Sequence, residues 1–160
     1  MAAKAKKEAQ GRKIIAQNRR ARHDYELSLH LEAGVALHGS EVKALREGHA
    51  HLSEAYVRVQ EGEAFLIGAN IAEYAQANRF NHPPERTRKL LLHRRQIDKL
   101  EVETRQKGMA AIPLALYFNA EGRVKLEIGV GKGKTQYDRR ESIKERDVRR
   151  ELARVRTRRR

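Results

Sequence analysis

Clusters of Lys and Arg side chains are the most evident chemistry in this 160-residue sequence. Three arginines lie within Asn18–His23, and Arg86, Arg88 and Lys89 fill three of the four positions before the apolar triplet Leu90–Leu92. A guanidinium group can donate two hydrogen bonds to phosphate oxygens and can stack on bases, whereas an ammonium group acts as a point charge. Both clusters are therefore candidate nucleic-acid contacts, and we expect the second to be presented from the rim of the apolar core.

The distribution of charge also favours a polyanionic partner. The chain has 35 Lys and Arg residues against 21 Asp and Glu, a net charge of +14. Residues 1–22 carry +7, residues 23–131 carry −1 and residues 132–160 carry +8. Neutralised phosphates release counterions, which favours RNA or DNA. We expect no membrane partner, because neither arm has the apolar face of an interfacial helix and no apolar run approaches the ~20 residues that span a bilayer.

Side chains suited to catalysis or metal binding are sparse. His49 and His51 form a close pair, but no third ligand lies near them in the sequence. The absence of cysteine excludes disulfides and thiolate metal sites and fits a reducing cytosol. The acidic residues are scattered among cations, as surface ion pairs would be. We expect no catalytic residue, no metal and no cofactor, and a basic nuclease is one alternative that the residues leave open.

Alternating apolar residues predict the strands that would position these clusters. Residues 25–31 alternate and predict a strand directly after the first cluster, followed by a turn at residues 32–34. Residues 55–71 and 112–128 each predict a hairpin. The predicted hairpin turns are Glu61-Gly62 and Asn119–Gly122.

A short helix is predicted over Ser40–Glu47. Ser40 is its expected N-cap and Gly48 the residue that ends it. Lys43 and Arg46 lie on the side opposite its apolar residues, where a solvated surface is the simpler interpretation.

A second helix is predicted from about Arg94 to Lys107. His93 and Gln96 have the spacing of a capping box, and Gly108 is expected to end the helix. Residues 72–84, which precede the second basic cluster, are expected to form a loop.

The predicted fold is mainly β. About six strands and two or three short helices favour an antiparallel barrel of the oligonucleotide-binding type, because closure removes exposed strand edges. Residues 1–17 are expected to form a flexible basic arm, residues 18–131 the barrel domain and residues 132–160 a basic tail. The three glycines within Gly129–Gly133 are expected to act as a hinge between domain and tail.

The tail combines high charge with a weak apolar stripe. Lys132–Arg160 contains 13 basic and 5 acidic residues, so we expect it to be disordered in the free protein. Four apolar residues with roughly helical spacing predict a helix when the tail lies in an anionic channel: Ile143, Val148, Leu152 and Val155. Tyr137 is expected to stack on a base, and His23 and His93 stand beside cations where they could do the same.

Four blocks of the sequence resemble a known family. They are Asn18–Tyr25, Gly39–Arg46, Arg86–His93, and Gly131–Lys134 with Asp138–Arg140. In this order, and over nearly the whole chain, they are similar to the small protein B family, the transfer-messenger RNA (tmRNA) binding proteins of bacteria. The resemblance implies the same barrel with flanking helices and no enzymatic activity.

The resemblance also implies partners. A member of this family would hold the tRNA-like domain of tmRNA in place of the missing anticodon arm. It would help deliver alanyl-tmRNA, carried by elongation factor Tu, to ribosomes stalled without a stop codon. The basic tail would enter the empty messenger channel past the decoding centre. We expect a cytoplasmic monomer.

Individual positions follow from the blocks and the clusters together. Asn18, Glu32 and Leu92 match family positions that hold the RNA. The predicted RNA-binding set is Asn18, Arg20, Arg22, His23, Glu32, Lys43, Arg46, Arg86, Arg88, Lys89, Leu92 and His93. The set predicted for the decoding centre and messenger channel of the ribosome is Lys132, Gly133, Lys134, Tyr137, Asp138, Arg139 and Arg140. A general ribosomal or RNA-chaperone protein with the same basic arms is the alternative function.

Overall fold

Nine strands and four α-helices make up the part of the chain that the structure describes. This computed structural model covers residues 11–158, without the side chains at 78, 136–139, 142 and 155–158. The strands are β1 (Lys13–Gln17), β2 (Tyr25–Val35), β3 (Ala50–His51), β4 (Tyr56–Gln60), β5 (Glu63–Ile67), β6 (Asn70–Ile71), β7 (Arg88–Leu91), β8 (Met109–Phe118) and β9 (Val124–Gly133). The helices are α1 (Ala21–Asp24), α2 (Gly39–Arg46), α3 (Arg94–Arg105) and α4 (Gln136–Arg158), with a 3-10 helix at Ala75–Phe80. The chain is mainly β, as predicted, with more strands and helices than expected.

Strand pairing is antiparallel throughout the main sheet. Seven strands pair in the order β1-β8-β4-β5-β7-β2-β9, and β9 pairs in turn with β8. Six strands (β4, β5, β7, β2, β9 and β8) therefore complete a cycle of pairings, while β1 extends the sheet beside β8. The short strands β3 and β6 pair with each other. Both predicted hairpins are confirmed, as β4–β5 and β8–β9.

The residues that alternate toward the inside of the sheet form the core. Leu66, Leu90, Leu126 and Ile128 are at most 2% exposed. Helix α3 covers this core with Leu100, which is fully buried. In the strands predicted from alternation, the same pattern therefore identifies the side chains that pack between the elements.

Strand β2 continues through the turn predicted at residues 32–34, so that prediction is wrong. The strand pairs with β9 along most of its length and with β7 at its end. A Cβ atom at Gly34 would lie 3.2 Å from the Cβ of Leu91, so this glycine admits the close approach of β7. Glu32 consequently lies within a strand, where its side chain points away from the core.

The N-cap of α2 is His38, not the predicted Ser40. The Glu41 carboxylate accepts a hydrogen bond from the His38 backbone N–H at 2.7 Å, which completes a capping box. The Ser40 hydroxyl instead lies 2.9 Å from Nδ1 of His82, a buried residue. Gly48 follows the helix with a φ of 81°, as predicted for a residue that ends it.

The capping box predicted for α3 is confirmed. The Gln96 side chain accepts a hydrogen bond from the His93 backbone N–H at 3.0 Å. The helix ends at Arg105, two residues before the predicted end, and Gly108 has a φ of 80°.

The glycines of Gly129–Gly133 form the end of strand β9, so the predicted hinge is wrong. This segment pairs with both β2 and β8. A Cβ atom at Gly131 would overlap with the backbone carbonyl of Glu26 on β2. The sequence pattern indicated flexibility, but here the missing side chain lets two backbones approach each other closely.

Gly131→Ala should therefore destabilise the domain by about 1–3 kcal/mol, because β2 and β9 would have to separate locally. Gly133→Ala is the matched control on the same strand, since its Cβ would meet Tyr25 at an ordinary 3.9 Å. Urea denaturation of both variants measures the difference. Equal stability of the two would contradict this explanation of Gly131.

Part of the predicted N-terminal arm is ordered as a strand. β1 pairs with the C-terminal half of β8, from Lys13 opposite Phe118 to Gln17 opposite Ala115. Ile15 packs against the core from this strand. The flexible arm predicted for residues 1–17 is therefore wrong for residues 13–17, because paired backbone groups and apolar side chains hold them; residues 1–10 lie outside the described residues.

Helix α4 occupies most of the predicted tail. It runs over Gln136–Arg158 and presents Ile143, Val148 and Leu152, which are all exposed. This is the conformation predicted for the bound tail. That the free tail is unfolded stays a prediction, which circular dichroism with and without RNA tests.

Candidate nucleic-acid interface

One open cleft of about 620 Å³ lies where β2, β7 and β9 meet the start of α3. We call it the Glu32 cleft. Its lining includes four predicted site residues, Glu32, Lys89, Leu92 and His93. They are far apart in the sequence and are brought together because β2 pairs with β7 while His93 caps α3. The structure thus places this part of the predicted set together in one cleft.

Lys125 is a residue of the Glu32 cleft that sequence reasoning missed. It lies on β9 between Val124 and Leu126 and pairs in register with Gly34 of β2. The sequence does carry a signal for Lys125, because an isolated lysine in an alternating strand faces away from the core. A second cation thereby joins Lys89, whose Nζ lies 2.5 Å from Glu63 Oε1.

The Glu32 cleft combines three kinds of contact. Lys89 and Lys125 can neutralise phosphates. Leu91, which is exposed, and Leu92 offer an apolar surface beside them. Glu32, with a side chain 47% exposed, can accept hydrogen bonds from base amino groups. Such a mixture suits a folded RNA better than it suits a simple polyanion.

A second, more basic opening of about 860 Å³ lies between α4 and the segment before β2. We call it the Arg22 cleft. Its lining contains Arg19, Arg22, His23, Lys134, Lys144, Glu145, Arg146, Val148, Arg149 and Leu152. The first basic cluster and the tail are therefore neighbours in the fold. Residues from both predicted sets, Arg22 and His23 from one and Lys134 from the other, meet here.

Hydrogen bonds fix the edge of the Arg22 cleft. The Lys134 backbone N–H donates to the Asp24 carbonyl at 2.8 Å, and Lys134 Nζ lies 3.4 Å from the Arg22 carbonyl oxygen. His23 Nδ1 lies 2.9 Å from an Asp24 carboxylate oxygen. The backbone hydrogen bond from Lys134 to Asp24 continues the β2–β9 ladder past its last pair, so the start of the tail has a defined direction.

Asn18 and Arg20 lie beside this region. The Asn18 backbone N–H donates to the Leu114 carbonyl on β8 at 2.8 Å, and its side-chain oxygen accepts from the Ala21 N–H at 3.3 Å. Asn18 and Arg20 also line a small groove with Tyr25. Arg20 is exposed.

Arg88 is fully buried, which corrects the expectation that it is presented to RNA. Its Nε donates to Glu41 Oε1 at 2.8 Å. Its terminal nitrogens donate to three backbone carbonyls, those of Ala69, Arg86 and Pro84, at 2.8, 3.1 and 2.9 Å. Every nitrogen of this guanidinium is used inside the protein, so Arg88 is removed from the RNA-contacting surface.

Arg86 shares the same buried carboxylate. Its Nε and Nη2 donate to the two oxygens of Glu41 at 2.7 and 2.6 Å, and 22% of its side chain is exposed. Glu41 is itself fully buried. The three residues join α2 to β7 and to the loop before it, so two of the predicted RNA-binding arginines organise the fold.

The pKa of Glu41 reflects this arrangement. Burial alone would raise it, but hydrogen bonds from Arg86 and from the His38 backbone, with the charge of Arg88, hold the pKa below its ordinary value of 4.5. Glu41 is therefore ionised at neutral pH although no solvent reaches it.

Lys43 and Arg46 are exposed on α2, as predicted, and neither lines the two clefts. Lys43 Nζ lies 5.6 Å from the ring centre of Tyr74, a cation–π contact. Solvated helix residues remain the simpler description of both.

The predicted tail set begins at the end of β9. Lys132 and Gly133 close that strand, and both are exposed. Arg140 is exposed on α4. The backbones of Tyr137, Asp138 and Arg139 belong to α4, while their side chains lie outside the described residues.

Neither a metal cluster nor a membrane-spanning helix is found in the described part of the chain. No group of three His, Asp or Glu side chains there could hold a metal ion. His49 Nδ1, from the pair noted in the sequence, lies 3.5 Å from a Glu47 carboxylate oxygen. Among the same residues, no helix is both long and apolar enough to cross a bilayer.

Comparison with known proteins gives a consistent result. The sequence model of the family described as SmpB protein matches residues 15–158. An SsrA-binding protein of Azorhizobium caulinodans is 50% identical over 155 residues, 97% of each chain. An SsrA-binding protein of Desulforamulus reducens is 49% identical over 155 residues, 97% of this chain and 96% of the relative.

A solved structure agrees with these relatives. It is described as "tmRNA-SmpB: a journey to the center of the bacterial ribosome" and is similar to this fold with a TM-score of 0.65 and 40% identity. The similarity covers 79% of this chain and 92% of the solved one.

Proposed function

The chain belongs to the SmpB protein family, and from that premise we propose that it is a tmRNA-binding protein of trans-translation. It binds the tRNA-like domain of tmRNA. With alanyl-tmRNA and elongation factor Tu it enters the A site of stalled ribosomes, and the nascent chain is then tagged for degradation. The names of the relatives and the tmRNA–SmpB subject of the similar solved structure support this function.

The Glu32 cleft is our proposed contact with the tRNA-like domain. Its lysines meet backbone phosphates, while Leu92 packs against the exposed face of a sugar or base. Glu32 accepts a hydrogen bond from an amino or hydroxyl group of the RNA. A site that binds only phosphates would not need such an acceptor. The single observation that carries the proposal is this gathering of two carboxylates, two lysines, the exposed Leu91 and the half-buried Leu92 in one cleft.

Asn18, Arg20, Arg22 and His23 form a second proposed RNA contact. They stand at the entrance to the tail, where the Arg22 cleft joins both basic regions. Arg86 is held by Glu41 but keeps 22% of its side chain exposed, and with the exposed Lys43 and Arg46 of α2 it completes the proposed RNA-binding set outside both clefts.

The tail is our proposed contact with the ribosome. Lys132, Gly133, Lys134, Tyr137, Asp138, Arg139 and Arg140 are assigned to the decoding centre and to the beginning of the messenger channel. The rest of α4 continues into the empty channel as a helix whose many arginines face ribosomal phosphates. Its direction is set by the hydrogen bonds that extend β9 to Lys134.

The six-strand cycle of pairings is, in this proposal, a small barrel of the oligonucleotide-binding type. The domain extends to the end of β9, and the tail follows it. The protein acts by binding alone, without catalysis, as a monomer in the cytoplasm where ribosomes and tmRNA are found.

Competition binding tests the proposed function. The full chain should bind the tRNA-like domain at least about tenfold more tightly than tRNA at fixed, near-physiological salt, because a shaped cleft adds to the phosphate contacts that both RNAs offer. Fluorescence anisotropy with unlabelled tRNA as competitor measures this ratio. Equal competition by tRNA would favour the alternative, a general ribosomal or RNA-chaperone protein.

A further inference from the structure

Two residues outside the predicted set hold Glu32. The Tyr117 hydroxyl on β8 donates a hydrogen bond to Glu32 Oε2. Arg12, just before β1, donates to the same oxygen from Nη2 at 3.3 Å. One oxygen of this carboxylate therefore has two partners from two other elements, while Oε1 has no hydrogen-bond partner among the described residues.

Arg12 and Tyr117 also contact each other. The guanidinium carbon of Arg12 lies 4.5 Å from the centre of the Tyr117 ring. Tyr117 alternates away from the core side chains of β8, yet only 2% of it is exposed. The N-terminal segment thus covers a tyrosine that the strand alone would leave in solvent, and a stacked cation–π pair results.

The surroundings of Tyr117 keep its hydroxyl protonated, so that it can donate a hydrogen bond. Burial, followed by its hydrogen bond to Glu32, raises the pKa of the Tyr117 hydroxyl well above its ordinary value. Glu127 lies opposite Glu32 in the β2–β9 register, so two carboxylates are neighbours here. Arg12 supplies a positive charge on the Glu32 side, and His30 Nδ1 lies 3.6 Å from Glu127.

We propose that Arg12 and Tyr117 are positioning residues that fix Glu32 so that its Oε1 faces an amino or hydroxyl group of the RNA in the Glu32 cleft. This rests on the proposed function of that cleft. An exposed glutamate otherwise samples many rotamers, and ordering it on binding costs free energy. A carboxylate held by one oxygen is preorganised to accept through the other, and it rejects a bare phosphate by charge repulsion. Arg12 and Tyr117 thereby contribute to selectivity more than to total affinity.

The test is a double-mutant cycle read as selectivity, the ratio of the dissociation constants for tRNA and for the tRNA-like domain. Glu32→Gln should lower this ratio about tenfold and Tyr117→Phe about fivefold, since each removes a charge-assisted hydrogen bond. Tyr117→Phe should have no further effect in the Glu32→Gln background. Arg12→Lys should retain more selectivity than Arg12→Ala.

Matched controls separate positioning from stability. Arg123→Ala removes an exposed arginine paired with Glu121 at 3.5 Å and should leave selectivity unchanged. Thermal melting of Tyr117→Phe should stay within a few degrees of the unmodified chain, because the ring and its stacking with Arg12 remain.

Two results would overturn the proposal. If Tyr117→Phe has no effect alone, or lowers selectivity equally in the presence and absence of the Glu32 carboxylate, Tyr117 does not act through Glu32. If Glu32→Gln leaves selectivity unchanged, the role of Glu32 and this proposal both fail. Selective binding by the unmodified chain would in that case still support the proposed function, so the two failures are distinguishable.

Discussion

Arg88→Ala is expected to lower the free energy of unfolding by about 3–5 kcal/mol, a large share of the ~5–15 kcal/mol that stabilises a typical domain. Both side chains of the pair are fully buried, and Arg88 Nε lies 2.8 Å from Glu41 Oε1. Removing the guanidinium leaves the Glu41 carboxylate with Arg86 and the His38 N–H as its partners, and it takes one hydrogen bond from each of three backbone carbonyls. Urea denaturation followed by circular dichroism measures the loss.

Arg86→Ala is the matched control, and it should cost less. Its side chain is 22% exposed, so water can reach part of the site that it vacates. Equal losses for the two variants would contradict the assignment of Arg88 as the buried centre of the cluster.

The pH dependence of this loss provides a second check. The pKa of Glu41 is lower in the native protein than its ordinary 4.5, so its ionised form contributes stability above that value. This contribution disappears as the pH falls through the native pKa. The difference between the unmodified chain and Arg88→Ala should therefore shrink in acid below pH 4.5. A constant difference would contradict the ion pair as its cause.

Removal of α4 is expected to abolish ribosome rescue. A chain that ends at Thr135 loses 11 of the 13 basic residues counted from Lys132 onward. Rescue of ribosomes stalled on a message without a stop codon should fall by at least about 100-fold, because the channel contacts are electrostatic and numerous. Tagging of a nascent chain in a reconstituted translation system measures this activity.

The position of the truncation matters. Ending at Gly131 would remove the pairing of Lys132 and Gly133 with β2, and the Lys134–Asp24 hydrogen bond with it. Ending at Thr135 keeps these contacts, so the shortened chain should unfold at the same urea concentration as the full one. Full rescue activity of the shortened chain would contradict the role proposed for the tail.

Local patterns in the sequence predicted most of the elements correctly. The two hairpins follow from alternating apolar residues, and the capping box of His93 and Gln96 follows from residues three positions apart. These features depend on neighbours in the chain, which a single sequence displays. The helical stripe of the tail is also a local feature, and α4 forms over it.

Other features depend on residues that meet only in the folded chain. Arg88 and Lys89 look alike in the sequence, yet β7 turns Arg88 toward a buried glutamate and Lys89 outward. Three glycines near the end of a strand indicate a hinge until β2 is seen to pass beside Gly131. In each case a local pattern allowed two interpretations, and strand pairing decided between them.

The residues of the Glu32 cleft divide in the same way, into those that a local pattern predicts and those that only the folded chain brings together. Leu92 and His93 were found from one block of sequence, whereas Lys125 joins them only through the register of β9. Arg12 and Tyr117 were missed for the same reason. Their contact with Glu32 requires that β1 and β8 lie beside each other and that Tyr117 reach across β9.

In our account, residues up to Thr135 bind the RNA selectively and the tail acts on the ribosome. The most direct test compares the full chain with the chain that ends at Thr135. Each is titrated against the tRNA-like domain of tmRNA at near-physiological salt with tRNA as competitor. Our account predicts that both chains prefer the tRNA-like domain by the same ratio, since the Glu32 cleft is complete without α4. Loss of that preference on removal of the tail would contradict it and would assign the selectivity to α4 instead of the body.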